Sequence, residues 1–392
     1  MTPVAEALEQ VLALVAPLAA ERVPLRRALG RVLAEPVVAQ LTQPPFDASS
    51  MDGYWISAAD HRPGAVLRVE GEAAAGRGWA GAVAPGQAVR IFTGAPCPAP
   101  GGVVLLQENV LRAGDTITLP ETLSDNDNIR PRGQDFGEGA PFRPNRALTA
   151  RDIGLIAAMN VAEVAVHRRP VVAVMATGDE LVQPGETPGP DQIICSNSLM
   201  LAAMIEAAGA EVRLLPIARD TAESLRFTFS LAEGADLLVS SGGASVGDHD
   251  IVGEIAAELG FERSFWRIAM RPGKPLMAGR MGAAVMLGLP GNPVSAAVCA
   301  KLFLLPMLAR MQGLDGRPVP QQAVLAKDVG PAGPRAHYMR AMLIPGTPPK
   351  IIPAASQDSA RLGVLAEADA LLIRPLGDGP RQAGEFAEYL PL

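Results

Sequence analysis

Three basic side chains of this acidic chain gather in one short motif. Arg267-Ile-Ala-Met-Arg271-Pro-Gly-Lys274-Pro275 holds three cations, and prolines on both sides of Gly273 stiffen the backbone between Arg271 and Lys274. Arginine offers oxyanions a planar fork and lysine a point charge. A solvated turn is the plainer reading. Met175-Ala-Thr-Gly-Asp179-Glu180 follows an apolar run. Its adjacent carboxylates suit Mg²⁺, which takes hard oxygen ligands, though a polar turn with a cap fits equally. Ser240-Ser-Gly242-Gly243-Ala-Ser245-Val-Gly-Asp248-His-Asp250 combines glycines, serines and two acids. Such loops present backbone N–H groups to anions. The acids oppose a bare phosphate unless a metal bridges them to it. The loop has neither a Walker A nor a G-x-G-x-x-G pattern. Leu289-Pro290-Gly-Asn292-Pro293-Val-Ser295 joins a strand to a helix. Asn292 is placed to cap that helix with Pro293 at its first position, which puts Ser295 in the first turn within reach of an anion. Phe46–Tyr54 with Asp52, Phe92–Pro96 with Thr93, and Arg132-Gly-Gln-Asp135 read locally as turns.

These segments need strand ends to hold them. From Arg169 to about Gly313 apolar runs alternate with helical patterns. Strands are predicted at Pro170–Ala176, Val212–Ile217, Leu237–Ser240 and Ala283–Leu289. Helices are predicted at Ser196–Ala208, Ala222–Ala232, Ile251–Leu259 and Pro293–Met311. That alternation implies a mostly parallel sheet covered by helices, with ligands at the carboxyl ends of its strands. Residues 44–136 show short apolar runs between Gly and Pro, as in a small β domain. Residues 319–392 do the same. The first residues read as an amphipathic helix with Val4, Leu8, Val11, Leu12 and Val15 on one face and Thr2-Pro3 as cap and first turn.

Composition narrows the function classes. With 392 residues, two to four domains are expected. Hydrophobic residues make up 48% and aromatics only 4%, so the cores must be aliphatic. Net charge is −7 and no Lys/Arg run exceeds two, which argues against nucleic acid as a partner. Cys97, Cys195 and Cys299 are far apart, neither a disulfide framework nor a zinc pattern. The N-terminal apolar stretch lacks a basic flank, so a signal peptide is not expected. No apolar stretch was counted at the roughly 18 residues that span a membrane. A cytoplasmic location follows as the expectation.

Taken in order, the motifs resemble those of MoeA-type molybdopterin molybdenumtransferases, the molybdenum insertases that include the gephyrin E domain. The matching stretches are Phe46–Tyr54, Phe92–Pro96, Thr177–Leu181, Ser196-Asn197, Ser241–Asp250, Arg271–Pro275 and Leu289–Ser295. A weaker match runs through Arg335–Arg340 and Gln357–Leu362. The resemblance implies an elongated multidomain α/β plus β fold. Its parts would be a discontinuous first domain (1–43 and 137–168), an inserted β domain (44–136), a central α/β molybdopterin-binding domain (169–318) and a C-terminal β barrel (319–392). It implies a homodimer with the active site between subunits and no membrane. It also implies transient contact with other proteins of molybdenum cofactor biosynthesis. The implied reaction joins molybdate to adenylylated molybdopterin and releases AMP, with Mg²⁺ as cofactor. Arg267, Arg271, Lys274, Arg335, Ser295 and Ser359 would bind the oxyanion and substrate, with Gly242, Gly243, Ser245, Pro290 and Pro293 shaping the loops. Glu180, Asp220, Asp248 and Asp250 would supply metal ligands. Asp52, Thr93, Asp135 and Asp250 would be catalytic.

The chain departs from the family pattern in places. Arg271-Pro-Gly-Lys274 stands where Lys-Pro-Gly-Lys is usual, and Gly-Gln-Asp135 replaces Gly-Glu-Asp. Between Arg335 and Arg340 little of the pattern remains. The competing readings are a molybdopterin adenylyltransferase-like or pyrophosphatase enzyme on the same α/β domain, and a non-catalytic scaffold of the same fold.

Overall fold

A computed structural model of the chain describes residues 1–242 and 251–392. The chain divides into two compact units. One comprises Arg22–Leu29 and Glu35–Ala165; the other comprises Met1–Glu21, Gly30–Ala34 and Val166–Leu392.

The smaller unit is built on a six-stranded sheet in the order Gly102–Leu106, Gly53–Ser57, Gln87–Ile91, Val66–Ala73, Thr116–Thr118, Leu111–Ala113. Side chains alternate across a strand, and this sheet uses both faces. Tyr54 and Ile56 pack with Leu67, Ala88 and Ile117 on one side. Trp55 packs with Val89, Ile91 and Val104 on the other. Gly102 has no side chain because the Trp55 indole fills the space a Cβ would need. A helix at Ala150–Ala158 starts where Asp152 accepts the backbone N–H of Thr149 at 2.6 Å, closing a capping box.

The larger unit contains the α/β sheet, in the order Glu211–Leu214, Val171–Ala176, Leu237–Ser241, Ala284–Leu289, Met277–Met281, Phe261–Trp266. The first four strands are parallel. Their alternate residues supply two cores. Val172, Val174, Leu237, Val239 and Leu287 meet Leu201 and Ile205 of the Asn197–Ala207 helix on one face. Ala173, Met175, Leu238 and Met286 meet Leu225, Phe229 and Ile255 on the other. Burial on both faces explains why Val171–Ala176 and Ala284–Leu289 read as continuous apolar runs, whereas the edge strand Glu211–Leu214 is mostly exposed.

Two strands were missing from the sequence reading. Met277–Met281 and Phe261–Trp266 extend the sheet antiparallel. The outer one is an edge with Glu262 and Arg263 exposed, so it lacks the apolar signature of its neighbours.

The expected long helix over Pro293–Met311 is three pieces. Pro293–Cys299 and Leu305–Met311 are α-helical, with a π turn at Ala300–Leu304 between them. Pro306 has no N–H to give to the preceding turn, which accounts for the break. By length and composition this run is apolar enough to cross a membrane, contrary to the sequence count. Its apolarity serves the core, since 78% of it is buried inside the protein.

The N-terminal helix covers Val4–Leu14 and buries Ala7, Val11 and Leu12. Thr2 does not cap it; Pro3 occupies that position, and Thr2 pairs by backbone with Arg267 and Ala269 at 3.0 and 2.8 Å. The C-terminal strands Ala336–Ile344, Lys350–Pro353, Gln321–Leu325, Phe386–Pro391 and Ala370–Arg374 close on themselves as a five-stranded barrel. Met270–Arg271 lies parallel to the first of them, placing Arg271 beside His337.

Candidate functional site

The parallel strands end in a cleft of about 670 Å³. Glu180 follows Val171–Ala176, Gly242 follows Leu237–Ser241, and Pro290 follows Ala284–Leu289; all three line it. Asp220, Asn197, Pro293 and Ser295 line it too. Gly242 is required by the close approach of two strand ends. Its φ is +95°, and a Cβ would sit 2.8 Å from the Thr177 carbonyl oxygen.

Asn197 ties the loops together. Its Nδ2 donates to Ser241 Oγ at 2.8 Å and to the Gly291 carbonyl at 2.7 Å. It is 8% exposed. A third loop joins from the barrel. Gln357 Nε2 donates to the Arg340 and Ala354 carbonyls, and the Val294 N–H donates to the Ser359 carbonyl at 3.1 Å. Asn292 Nδ2 donates to Ser359 Oγ at 3.1 Å. Asn292 therefore spends its amide on Ser359 and makes no side-chain cap on its own helix, although Pro293 does take the first turn.

The carboxylates at this cleft are exposed. Asp179 accepts the Asp220 N–H at 3.2 Å, and the Arg219 guanidinium donates to the Asp179 and Leu181 carbonyls. That holds the Asp220 loop against the Glu180 loop. Among the described residues no group of three or more His, Cys, Asp or Glu side chains is gathered as a ready metal site. Two carboxylates on one cleft still suit Mg²⁺, which keeps water and substrate oxygens in most of its coordination shell. Gly243, Ser245, Asp248 and Asp250 lie outside the described residues.

The cations fall into separate settings. Arg271 is exposed and its Nη2 lies 2.9 Å from His337 Nδ1. Lys274 is exposed, next to Pro275 of the cleft lining. Arg267 is not among the lining residues. It has φ +69° and stacks on the Trp266 ring at 4.2 Å. Arg335 is half-buried. Sequence analysis assigns no role to Arg340, which is fully buried and donates to the Asp358 carbonyl at 3.1 Å, while its Nε and Nη1 have no partner among the described residues. A buried guanidinium with unsatisfied donors is costly unless an anion meets them. Its place in the Arg335–Arg340 motif was the only hint of this.

In the smaller unit, Asp52 receives both the Thr93 N–H and the Thr93 hydroxyl at 2.8 Å. The backbone N–H first, and then the hydroxyl, hold its carboxyl below the usual range. Arg90 braces the turn by donating to the Gly53 carbonyl at 2.8 Å while lying over Tyr54 and Phe92. Asp135 lines a separate hollow of about 540 Å³ with Phe46, Gly94 and Arg130. Gly94 follows Thr93 in the chain.

An open α/β sheet with an acid- and serine-lined cleft at its strand ends defines a ligand-handling α/β enzyme. Known proteins give the particular family. A profile described as "MoeA N-terminal region (domain I and II)" matches residues 2–160. "Probable molybdopterin binding domain" matches 173–310, and "MoeA C-terminal region (domain IV)" matches 322–392. The chain is 36% identical over 386 residues to a molybdopterin molybdenumtransferase of Nostoc sp., covering 95% of this chain and 88% of that protein. It is 36% identical over 300 residues to the Haemophilus influenzae enzyme of the same name, covering 76% and 74%. The crystal structure of the molybdopterin biosynthesis moeA protein from Pyrococcus horikoshii OT3 superposes with a TM-score of 0.85 at 27% identity over all of both chains. The chain belongs to the MoeA family of molybdopterin molybdenumtransferases and is an enzyme of molybdenum cofactor biosynthesis.

Proposed function

We propose that this protein inserts molybdate into adenylylated molybdopterin and releases AMP. The observation that carries the reading is the meeting of Glu180, Asp220, Ser295 and the Pro290–Pro293 loop in one cleft at the sheet's carboxyl edge. In the reaction water attacks one phosphorus of the pyrophosphate link, so that a new P–O bond forms as the bridging one breaks, and AMP leaves. Two Mo–S bonds form to the dithiolene, and one molybdate oxygen departs as water with the two thiol protons. The thiolates belong to the substrate, so the protein needs no cysteine ligand.

Each group has a task. Glu180 and Asp220, with Asp248 and Asp250, would hold Mg²⁺, which when bound neutralises charge on the pyrophosphate oxygens. Arg271, Lys274 and the buried Arg340 draw the molybdate dianion, with Ser295 and Ser359 donating to its oxygens. Gly242 brings the backbone close to the substrate, and by family resemblance Gly243 and Ser245 would bind it. Arg267 and Arg335 act from further back. We also propose that the protein works as a homodimer in the reducing cytoplasm, keeping the four-part domain division of its family. Asp52, Thr93 and Asp135 of one protomer then complete the partner's cleft.

The test is AMP release from adenylylated molybdopterin, with protein, Mg²⁺ and molybdate omitted in turn. Release that requires all three and disappears in Glu180→Ala and Asp250→Ala is expected. A folded protein that releases no AMP would refute the insertase reading and favour a scaffold.

A further inference from the structure

Arginine has only donors, and it cannot lose its proton in a protein. A ring nitrogen 2.9 Å from Arg271 Nη2 must therefore accept. His337 Nδ1 is that nitrogen, so the ring is neutral with its proton on Nε2. The setting agrees. His337 is 4% exposed on Ala336–Ile344, and the strand register places it beside Arg271 on one side and Arg374 on the other. Arg340 is on its own strand and Arg335 at the start of it. Burial first, and then Arg271, Arg340, Arg374 and Arg335 in turn, push its titration down to about 3.

Of these cations, Arg374 is neutralised by Asp378, which accepts its Nε–H at 2.5 Å. Arg271, Arg340 and Arg335 have no carboxylate partner within ion-pair distance among the described residues. A carboxylate at position 337 would orient Arg271 equally well, but it would cancel one of these free charges.

We propose that His337 is a positioning residue for the oxyanion. As an uncharged acceptor it aims the Arg271 fork while leaving the positive charge of Arg271 and Arg340 available to the ligand. This rests on the molybdate-binding reading above. It accounts for the arginine in place of the usual lysine. A fork can give one donor to the histidine and keep the others for the oxyanion, whereas the ammonium is a point charge.

The test uses full-length protein and sodium molybdate, with dissociation constants from calorimetry. His337→Asn and His337→Asp have the same shape, and each puts an oxygen near the Nδ1 position. They differ in charge and in the amide donors that asparagine alone carries. The asparagine variant should bind within about threefold of wild type and the aspartate variant at least about tenfold more weakly. Wild-type affinity should be flat between pH 6 and 8, because the ring does not titrate there. Equal binding by the two variants would overturn the proposal. So would a nitrogen chemical shift of His337 showing a protonated Nδ1 at pH 7, which is read on the wild type and needs no variant to fold. A wild type that binds no molybdate overturns the oxyanion site itself, and the nitrogen shift then still decides the tautomer separately.

Discussion

Asn197→Ala should uncouple the cleft loops without touching any proposed catalytic group. Asn197 is the first residue of its helix and spends both amide hydrogens on neighbouring loops. Each bond contributes about 0.5–1.5 kcal/mol net, and a buried group left unpaired costs about 1–3 kcal/mol. The two partners differ. Ser241 is 3% exposed and its hydroxyl loses its donor with no water to replace it, whereas Gly291 is exposed and its carbonyl can be rehydrated. The sum falls near 2 kcal/mol. Urea unfolding would measure it, followed by Trp266 in a Trp55→Phe, Trp79→Phe background so that only the larger unit reports. The rate of AMP release should fall more steeply than the stability. Ser241 precedes Gly242 and Gly291 precedes Asn292, so both cleft loops lose their anchor, and misplacement by about 1 Å costs up to about a hundredfold. A midpoint shift equivalent to less than about 0.5 kcal/mol, with an unchanged rate, would refute the claim that Asn197 holds these loops.

Gly242→Ala should cost about 1–3 kcal/mol and most of the activity, since it combines a left-handed φ with a Cβ 2.8 Å from a backbone oxygen; a variant as stable as wild type in urea would contradict that geometry. Asp236 accepts from Arg168 at 2.5 and 2.7 Å and from the Val171 N–H at 2.8 Å. Burial pulls its carboxyl upward, but these donors outweigh it and the net shift is downward. Its stabilisation is therefore present above the unfolded value of about 3.9 and is lost as pH falls through the lower folded value. The stability of Asp236→Asn should depend less on pH between 3 and 5, and identical pH curves would count against the pairing. Mixing Asp52→Ala with Glu180→Ala subunits should restore about one quarter of wild-type activity, because half the dimers are mixed and each has one intact site. No recovery after subunit exchange would mean that a single protomer supplies both residues.

What could be read from the sequence was whatever repeats at short range. Val171–Ala176 is apolar throughout and Leu237–Val239 is an apolar run because both faces are covered, and such a run announces itself. Phe261–Trp266 does not, because an edge strand with Glu262 and Arg263 exposed resembles a loop. The π turn before Pro306 was also hidden, since periodicity alone treats Pro293–Met311 as one helix. Thr2 looked like a helix cap, yet its backbone is consumed by Arg267 and Ala269, a pairing that depends on a partner far along the chain.

The candidate site divides in the same way. Gly242, Pro290 and Glu180 sit where a strand end must turn, so local patterns locate them, whereas Asp220 is reached only through the family resemblance. Arg340 and His337 are buried on one strand of the barrel, where their chemistry depends on what tertiary packing excludes. A fully buried arginine with two idle donors runs against composition, which places arginine outside. The neutral histidine acquires its role only when the Met270–Arg271 strand is laid beside it. Residue types in a motif therefore tell where charge is collected. The orientation of that charge, and how much is left free, depends on neighbours contributed by another strand. In this chain the neighbours are arginine at 271 and histidine at 337. The two positions should consequently be exchanged as a pair: Arg271→Lys alone leaves a neutral ring beside an ammonium, and His337→Glu alone cancels the charge of a fork.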